Sequence, residues 1–495
     1  MLFRSNTVFG FLAGNSLGSG HDKNVLIGDS AGTNVQADSN VMIGRAVGDA
    51  ITSGANNVLI GDSALGTATT ATENIAIGGD AMSLVQAGQA ITGVVAIGQN
   101  ALKGGSTTTA VNGAIAIGKD SLKSLTTGIN SIAIGFEAQM SQTTGNRNTV
   151  IGHSAMRTAD GGEDFNTVIG SEAGYYINND ASHDNVIIGK NALQGGTGTI
   201  LGNVAIGTNA MDAVSNNNQT GTVAIGSDSL GDLTSGAGNL AIGYQAGSSI
   251  VDSSNNTAIG YQSMLDLVRT DTQNVAVGNY SLDQCTEDAY NTAIGYDTLT
   301  NQRTTNAGSI QASYNTALGW KAGDALVGNN STGGKKNTFL GASTDADDTT
   351  GFNQTVVGYG ATGIGDNTVT LGNSDVTDVY MAQDAGAKVR CSAIVHTQEN
   401  VTISSGAITV TTSYVRVLTE GSASTDDLVT INGGVGGQVL YLHQQLSTKD
   451  VTLKDGTGNL ALAGDFAMSH AQDMIHLIYS AADSVWIEVS RSNNA

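Results

Sequence analysis

A phrase of eight residues recurs along most of the chain and constrains its fold more than any other feature. It consists of an asparagine, two apolar residues, an isoleucine, a glycine, two variable residues and a small residue, as in NVLIGDSA at 24–31 and NTVIGHSA at 148–155. Counting by the glycine gives 21 copies, most of them 16 to 20 residues apart. A period this short is typical of stacked coils and not of a globular enzyme domain. The repeat glycines include Gly28, Gly61, Gly98, Gly135, Gly207, Gly243 and Gly295.

The residues before the glycine predict a short strand. The residue next to it is usually Ile and the residue two earlier is usually Val, Ile or Thr, so these side chains lie on one side of a pleat. The residue between them faces the other way and is most often Ala, as at Ala76 and Ala205. Because both sides are apolar, both must be covered. We expect the isoleucine side to face the inside of the coil and sister chains to cover the alanine side. In the alternative, a second sheet of the same chain covers it.

The glycine and the asparagine of the phrase each have a predicted structural role. Glycine suits a sharp turn that needs a positive φ or space for a neighbouring backbone. Asparagine can form ladders of side-chain amides along successive coils, and it tolerates the left-handed conformation of a corner. The small residue three positions after the glycine, such as Ala31 or Ser121, belongs to a second, outer side of each coil, which ends in a variable loop. Together these features predict a parallel β-roll, or β-solenoid, over residues 1–375.

Composition argues against several classes of function. The chain of 495 residues contains no proline and 13 % charged residues, which agrees with continuous strand pairing and not with long surface helices. A net charge of −23 argues against nucleic-acid binding, because phosphate contacts need clustered Lys or Arg. Cys285 and Cys391 form no disulfide framework. The opening MLFRSNTVFG contains no signal-peptide core, and no segment reaches about 20 apolar residues, so we expect neither general secretion nor membrane insertion.

The pattern changes after the last repeat. Residues 376–400 form an extended joint of mixed polarity, and residues 401–495 carry longer alternating strands such as AITVTTSYVRVLT, GQVLYLHQQ and SVWIEVS. Turn signals at 432–434, 455–456 and 463–465 separate these strands. About eight strands in this length predict a compact all-β unit, an antiparallel β-sandwich or jelly roll that caps the end of the roll.

Two parts of the chain resemble known families. NVAIGTNA at 203–210 and NLAIGYQA at 239–246 resemble the head repeat of YadA-like trimeric autotransporter adhesins, and the likeness covers roughly residues 6–375. The stretch at 368–389 and the segments TDDLVTINGG and LKDGTGNLALAGDF are similar to parts of fibre proteins of tailed phages, particularly marine ones. The first resemblance implies a homotrimeric, left-handed parallel β-roll that binds surfaces. The second implies a shaft whose distal end contacts the host, in a virion assembled inside the cell.

No enzyme motif is recognisable in the sequence. No GxSxG nucleophile elbow is recognisable, HExxH and CxxC are absent, and the seven histidines include no His-x-His spacing that could hold a metal on a threefold axis. Two groups of acids, Glu163 with Asp164 and Asp283 with Glu287 and Asp288, could act on a polysaccharide as paired carboxylates. An acidic, solvated loop is the simpler interpretation of both groups. We therefore expect no catalytic residues and no enzyme activity.

The sequence predicts metal and ligand sites less strongly than it predicts the fold. The acids at 345–348 could bind Ca²⁺ through oxygen ligands, although they match no known calcium loop, and we otherwise expect no cofactor. Aromatic faces stack on sugar rings and anchor recognition, but in a small β-sandwich they more often belong to the core. The candidate binding residues are Tyr414, Tyr441, Tyr479 and Trp486. A structural stripe on the roll is predicted from aromatic residues that follow the repeat glycine: Tyr244, Tyr261, Tyr296, Trp320 and Tyr359.

Taken together, these features predict a non-enzymatic, trimeric fibre protein of a tailed-phage virion. The N-terminus would join another virion, tail-fibre or baseplate protein, and the distal end would contact a polysaccharide or protein of the host cell surface. Three weak sites acting together would supply the affinity. Three alternatives stay open: a bacterial adhesin located at the cell surface, a capsule-degrading tailspike, and a self-assembling filament without a receptor.

Overall fold

The chain folds into two compact units, residues 1–379 and 380–495. The computed structural model describes residues 5–85, 88, 90–104, 111–267, 273–285, 289–301, 314–326, 334–380, 391 and 393–494. Within these residues both units consist of β-strands and turns, and the one helical element is a single 3-10 turn at Glu420–Ser422. The predicted joint at 376–400 lies partly outside the described residues, as do Glu287 and Asp288 and most of the loop at 300–313.

The first unit is a parallel β-solenoid, which we call the roll. Each copy of the phrase supplies one three-residue strand, and successive strands pair in parallel and in register, with Val25 opposite Val41 and Ile27 opposite Ile43. All 21 strands join one sheet, which confirms the stacked coils that the period predicts. The strands are Thr7–Phe9, Val25–Ile27, Val41–Ile43, Val58–Ile60, Ile75–Ile77, Val95–Ile97, Ile115–Ile117, Ile132–Ile134, Thr149–Ile151, Thr167–Ile169, Val186–Ile188, Val204–Ile206, Val223–Ile225, Leu240–Ile242, Thr257–Ile259, Val275–Val277, Thr292–Ile294, Thr316–Leu318, Thr338–Leu340, Thr355–Val357 and Val369–Leu371.

The prediction of which strand side faces inward is wrong. The middle residue of the strand is buried in the roll, as at Ala76 and Ala205, whereas its two neighbours are half-buried on the outside. The turn halves of the coils of the same chain cover the alanines, and the Ser263 hydroxyl donates to the carbonyl oxygen of Ala276 on the next coil over 3.1 Å. The interior is therefore narrow and takes the small residue, and the larger β-branched residues lie outside. This arrangement is close to the alternative, in which the same chain covers the alanine side.

The residues after the repeat glycine, the second half of each coil, form turns, and a second strand occurs only as one short parallel pair among the described residues, Ile200–Leu201 with Gln219–Thr220. The small residue of this half and the Leu or Met that follows point inward and are fully buried, as at Ala64 and Leu65. Where the next coil carries a large interior strand residue, this half can carry glycine. A Cβ on Gly48 would lie 2.9 Å from a methyl of Leu59, and one on Gly323 would lie 2.9 Å from the Phe339 ring. Volume inside the roll is thus matched between neighbouring coils.

The repeat glycines form a column in which each backbone contacts the next. Gly78 has a φ of +132°, and a Cβ there would lie 2.4 Å from the carbonyl oxygen of Gly98. Any side chain would therefore meet both a strained backbone conformation and a backbone atom that cannot move aside. This confirms both roles predicted for the glycine.

The repeat asparagines form the predicted ladder inside the roll. The side-chain oxygen of Asn40 accepts a hydrogen bond from the backbone N–H of Asn57, and the oxygen of Asn57 accepts one from Asn74, each over 3.1 Å. The side-chain amide of Asn57 also donates to the carbonyl of Ala71 over 2.8 Å. The left-handed corner falls on the residue before the ladder asparagine, such as Asn56 with a φ of 61°. The asparagine thus serves as a hydrogen-bonding group and not as the corner itself.

The second unit contains 11 strands in three sheets and one continuous core that includes Trp486. A six-stranded sheet takes the order Gln398–Thr402, Tyr414–Leu418, Val439–Gln444, Met474–Ser480, Val485–Ser492 and Leu460–Ala461. A three-stranded sheet contains Thr425–Leu428, Asp450–Leu453 and Phe466–Met468, and a pair joins Ala407–Thr409 to Thr430–Asn432. This confirms that the C-terminal unit is all-β.

The antiparallel sandwich predicted for this unit is wrong, because its sheets are mixed. Five of the eight strand pairs are parallel, and the antiparallel pairs occur only among the later strands. The turn signals at 432–434, 455–456 and 463–465 each connect strands of different sheets. They are corners between sheets and not hairpin turns, which explains why hairpin signals led to the wrong pairing.

Candidate functional sites

The outer side of the roll's sheet is the largest candidate site, and we call it the outer face. It consists of two columns, formed by the first and third residues of all 21 strands. These residues are Val, Ile, Leu, Thr and Phe, and neither column contains a charged side chain. The columns are half-buried along most of the roll, and near its C-terminal end Ile294, Leu318 and Leu340 are 38 %, 45 % and 45 % exposed. The outer face is thus a continuous uncharged strip that is apolar except for eight threonines in its first column.

The four candidate aromatic residues of the second unit divide between two environments. Tyr414 and Tyr441 lie opposite each other on neighbouring strands, on the side of the sheet that points away from the core. Tyr479 packs against the core, and Trp486 is fully buried and donates its indole N–H to the Ile431 carbonyl over 3.0 Å. Tyr414 and Tyr441 are therefore available for contact with a ligand, whereas Trp486 has a structural position.

Histidines surround the two outward tyrosines, and the sequence did not predict this grouping. Tyr441 stacks on His476 with ring centroids 4.6 Å apart, and Tyr414 lies 5.2 Å from His443. We call these four residues the tyrosine–histidine face. Burial lowers the pKa of His443, and the adjacent Arg416 lowers it further, so the imidazole is neutral near pH 7. The side-chain Nε2 atoms of His443 and His476 are buried without a hydrogen-bond partner in the described residues.

This face presents the rings and hydroxyl groups of Tyr414 and Tyr441, a set that suits hydrogen-bonding ligands with apolar surfaces, such as sugars, while the buried histidine Nε2 atoms lie beneath the surface. The strand register brings the residues together: Tyr414 pairs with Tyr441, and Tyr441 pairs with His476. The usable signal in the sequence is the alternation of Tyr and His at 441 and 443. It becomes informative only once the parallel and antiparallel partners of that strand are known.

The predicted aromatic stripe on the roll is continuous over four rings. Tyr244 stacks on Tyr261 with centroids 5.4 Å apart, and Tyr280 then links Tyr261 to Tyr296 through edge contacts of 5.4 and 5.8 Å. Tyr280 was not predicted, because it follows the repeat glycine by two positions instead of one. The three predicted tyrosines in this row remain 41 to 46 % exposed, and in the described part of the chain the other two predicted members, Trp320 and Tyr359, do not join it, so the structural role stays a prediction.

Glu163 and Asp164 do not form the carboxylate pair that was considered as an alternative to a solvated acidic loop. Glu163 is buried inside the roll, while Asp164 points outward and accepts the backbone N–H of Asn146 over 2.6 Å. Successive residues of an extended segment point to opposite sides, which separates the two carboxylates. The partners predicted for Asp283 lie outside the described residues.

The acids at 345–348 do not come together as a metal site among the described residues. Each faces a different protein donor: Asp345 accepts the N–H of Ala325 over 2.9 Å, and Asp348 accepts the N–H of Thr350 over 2.7 Å. Burial raises the pKa of Asp345 to about 6. Calcium binding at this loop stays a prediction that its geometry does not support.

The fold defines the class of this protein as a parallel β-solenoid repeat protein with a mixed-sheet C-terminal unit. Comparisons with protein-family models, with curated protein sequences and with solved structures find no match. Within the described residues, no helix has the length and apolar character needed to cross a membrane.

Proposed function

We propose that the protein is a structural fibre component in which three copies of the roll pack their outer faces around a common axis. The observation that carries the proposal is the outer face, two uncharged columns that run through all 21 strands. Strands stack about 4.8 Å apart, so the strip is about 100 Å long, and with two columns it covers on the order of 1,000 Å². A monomeric soluble protein rarely exposes an apolar patch of this size, and a stable interface buries a similar area.

A second copy of the chain is the partner that matches this strip best. In the N-terminal third, from Val25 to Ile134, both columns contain only Val and Ile at every strand. A regular row of β-branched side chains with a period of about 4.8 Å fits a surface that has the same period. Three rolls around one axis cover every strip with closed symmetry, which also removes the tendency to form open aggregates.

The roll in this assembly acts as a stiff shaft, and the second unit supplies recognition. The tyrosine–histidine face would be present three times, and three weak contacts acting together multiply a modest affinity for a host cell-surface polysaccharide or protein. The similarity of 368–389 and of the C-terminal segments to tailed-phage fibre proteins supports a location in a virion. In that setting, the N-terminal end would join another tail-fibre or baseplate protein.

Paired double variants test the assembly. Ile97→Glu with Ile117→Glu places two acids on adjacent strands of the outer face. The control, Gln99→Glu with Lys119→Glu, places two acids on the same two coils at exposed positions just after the repeat glycines. We expect the first variant to sediment as a folded monomer and the control to keep the assembly. Equal behaviour of the two variants would contradict the proposal.

Immunogold labelling tests the location. Antibodies against the second unit should label the distal ends of tail fibres on intact virions, and the purified protein should compete with virions for adsorption to host cells. Labelling of a bacterial cell surface would instead favour the adhesin. New reducing ends after incubation with host polysaccharide would favour the tailspike.

A further inference from the structure

Three carboxylates from two adjacent coils meet at one edge of the roll. Asp160, Glu163 and Asp180, which we call the acidic cluster, each place an oxygen within 4.8 Å of those of the other two. Asp160 and Asp180 are exposed, and Glu163 is fully buried. Among the described residues this is the one group of three or more such side chains with metal-ligand spacing.

Glu163 carries a buried oxygen atom that the described part of the chain leaves without a partner. Its Oε2 accepts hydrogen bonds from the backbone N–H of Gly161 over 3.1 Å and from the side-chain amide of Gln142 over 3.2 Å. Its Oε1 is inaccessible to water and has no hydrogen-bond partner. No ion pair in the described residues includes a member of the cluster. A buried carboxylate without a counter-charge is costly, so an unpaired Oε1 indicates a missing positive partner.

Two glycines allow the third carboxylate to approach. Gly161 and Gly162 separate Asp160 from Glu163, and the backbone N–H of Gly162 donates to Asp180 Oδ1 over 3.1 Å. A Cβ on Gly161 would lie 1.7 Å from the same oxygen. Any side chain at 161 would therefore displace Asp180 from the cluster. The segment is built so that an acid of the next coil reaches the first two.

Polar residues support Glu163 at places where other coils are apolar. Gln139 and Gln142 are fully buried, and the Gln139 amide donates to the Gln142 side-chain oxygen over 3.1 Å. One coil earlier, the corresponding positions are Leu122 and Leu125, both in the apolar core. The amide of Gln142 then reaches Glu163. The core of the roll is interrupted here by a hydrogen-bonded column that ends at the acidic cluster.

The surroundings of the acidic cluster favour neutralisation of its negative charge. Burial raises the pKa of Glu163 and the charge of Asp160 raises it further, while hydrogen bonds from Gly161 and Gln142 lower it. The hydrogen bonds therefore hold a carboxylate in a place where burial and repulsion oppose its charge. Neutralisation requires either a proton on Glu163 or a cation between the three groups.

We propose that the acidic cluster binds one Ca²⁺ per chain, with Glu163 as the buried ligand and Asp160 and Asp180 as ligands from the solvent side. All three donors are oxygens, which suits a hard cation. Ca²⁺ accepts six to eight oxygen ligands in flexible geometry, whereas Mg²⁺ demands a near-ideal octahedron, so three carboxylates supplied by two different loops suit Ca²⁺ better. The exposed side leaves room for water ligands. The ion would join two successive coils, and this role does not depend on the trimer or on a virion.

Calcium titration of the full chain after treatment with a chelator tests the proposal. We expect one site per chain with a dissociation constant of about 1 mM or tighter, weaker or absent Mg²⁺ binding, and a Tm that rises in Ca²⁺. Asp180→Asn should weaken Ca²⁺ binding about tenfold or more. Asp164→Asn, which removes the neighbouring acid outside the cluster, should bind as the wild type does.

The Glu163→Gln variant distinguishes cation binding at Glu163 from protonation of its carboxylate. If the cluster binds Ca²⁺, this variant should keep a Tm in chelator at least as high as that of the wild type, because it buries no charge, and Ca²⁺ should no longer raise it. A misfolded variant could not show that pair of results. The proposal is wrong if the wild type shows neither heat of binding nor a Tm shift at about 10 mM Ca²⁺. It is equally wrong if the Asp164→Asn control loses binding as Asp180→Asn does.

Discussion

The inner and outer sides of the roll's sheet are both apolar, yet they hold different residues in different surroundings. The inner side presents mostly alanine, fully buried inside the roll, as at Ala224. The outer side presents Val and Ile, half-buried, with no element of the same coil above them, as at Ile225. Hydrophobicity alone shows that both sides of the sheet must be shielded from water. Side-chain volume decides which side the chain shields with its own residues, and this is the side of the small alanines.

Acids on the two sides of one strand should have opposite consequences. Ala224→Asp places an unpaired charge in the narrow interior, which should destabilise the surrounding coils by about 4 kcal/mol or more. Ile225→Asp, one residue away, should leave the strand amides protected from hydrogen exchange and weaken only association. Hydrogen exchange resolved by peptide distinguishes these outcomes. The opposite result, in which the strand amides stay protected in Ala224→Asp and lose protection in Ile225→Asp, would support the prediction from sequence that alanine lies on the outer side of the sheet.

Two adjacent glycines offer the next contrast. Gly78→Ala should cost about 3 kcal/mol or more, because a Cβ would meet the Gly98 carbonyl at 2.4 Å in a conformation that suits only glycine. Gly79→Ala has no heavy atom within 4 Å of its Cβ and should change stability by less than about 1 kcal/mol. Urea unfolding of both variants measures the difference. Similar midpoints would show that the glycine column is dispensable.

Asparagines inside and outside the roll should differ as well. Asn57→Ala leaves the backbone N–H of Asn74 and the carbonyl of Ala71 without their side-chain partner, which should cost about 2 to 3 kcal/mol. Asn217→Ala removes a single exposed bond to the Thr234 carbonyl and should cost less than about 0.5 kcal/mol. Thermal unfolding at one protein concentration compares them. A cost that is equal for the two variants would argue against the ladder as a stabilising element.

A partly buried aspartate should make the smallest contribution, with a defined pH dependence. The pKa of Asp345 is about 6 in the folded chain and near 3.8 when unfolded, so its ionisation reduces stability above pH 6 and has no effect below about pH 4. The difference between these pKa values corresponds to about 3 kcal/mol, and the partial exposure of the side chain reduces it. Asp345→Asn should therefore stabilise the roll at pH 7 by about 2 kcal/mol, a gain that shrinks as the pH falls from 6 to 4. Urea titrations of the wild type and the variant at several pH values measure this trend, and a gain that does not change between pH 4 and pH 7 would contradict it.

Periodicity was sufficient to predict the roll but not its orientation. The number of strands and the roles of glycine and asparagine follow from residues that recur at fixed places, because every coil repeats the same backbone contacts. The inward side does not follow, since it depends on the volume that the second half of the coil supplies, as Leu65 does above its strand. The second unit has no repeat, so the partner of each strand depends on contacts far apart in sequence. Its glycine-rich turns signal a change of direction and not the sheet to which the next strand belongs.

The candidate sites likewise depend on contacts between residues that are far apart in the sequence. Tyr414 and Tyr441 were singled out by residue type, but their association with His443 and His476 depends on strand register. The acidic cluster combines an acid of one coil with two of the previous coil across loops of different length. Its one visible signal is the pair Gln139 and Gln142, polar residues at places that hold Leu122 and Leu125 one coil earlier.

Sedimentation equilibrium of the full chain tests most directly whether the outer face joins copies of the chain. One chain has a mass of 50.1 kDa, and the account predicts a folded species of three times that mass, about 150 kDa, at micromolar concentration. A folded species of about 50 kDa under the same conditions would show that the outer face is stable in water, and would contradict the proposed shaft.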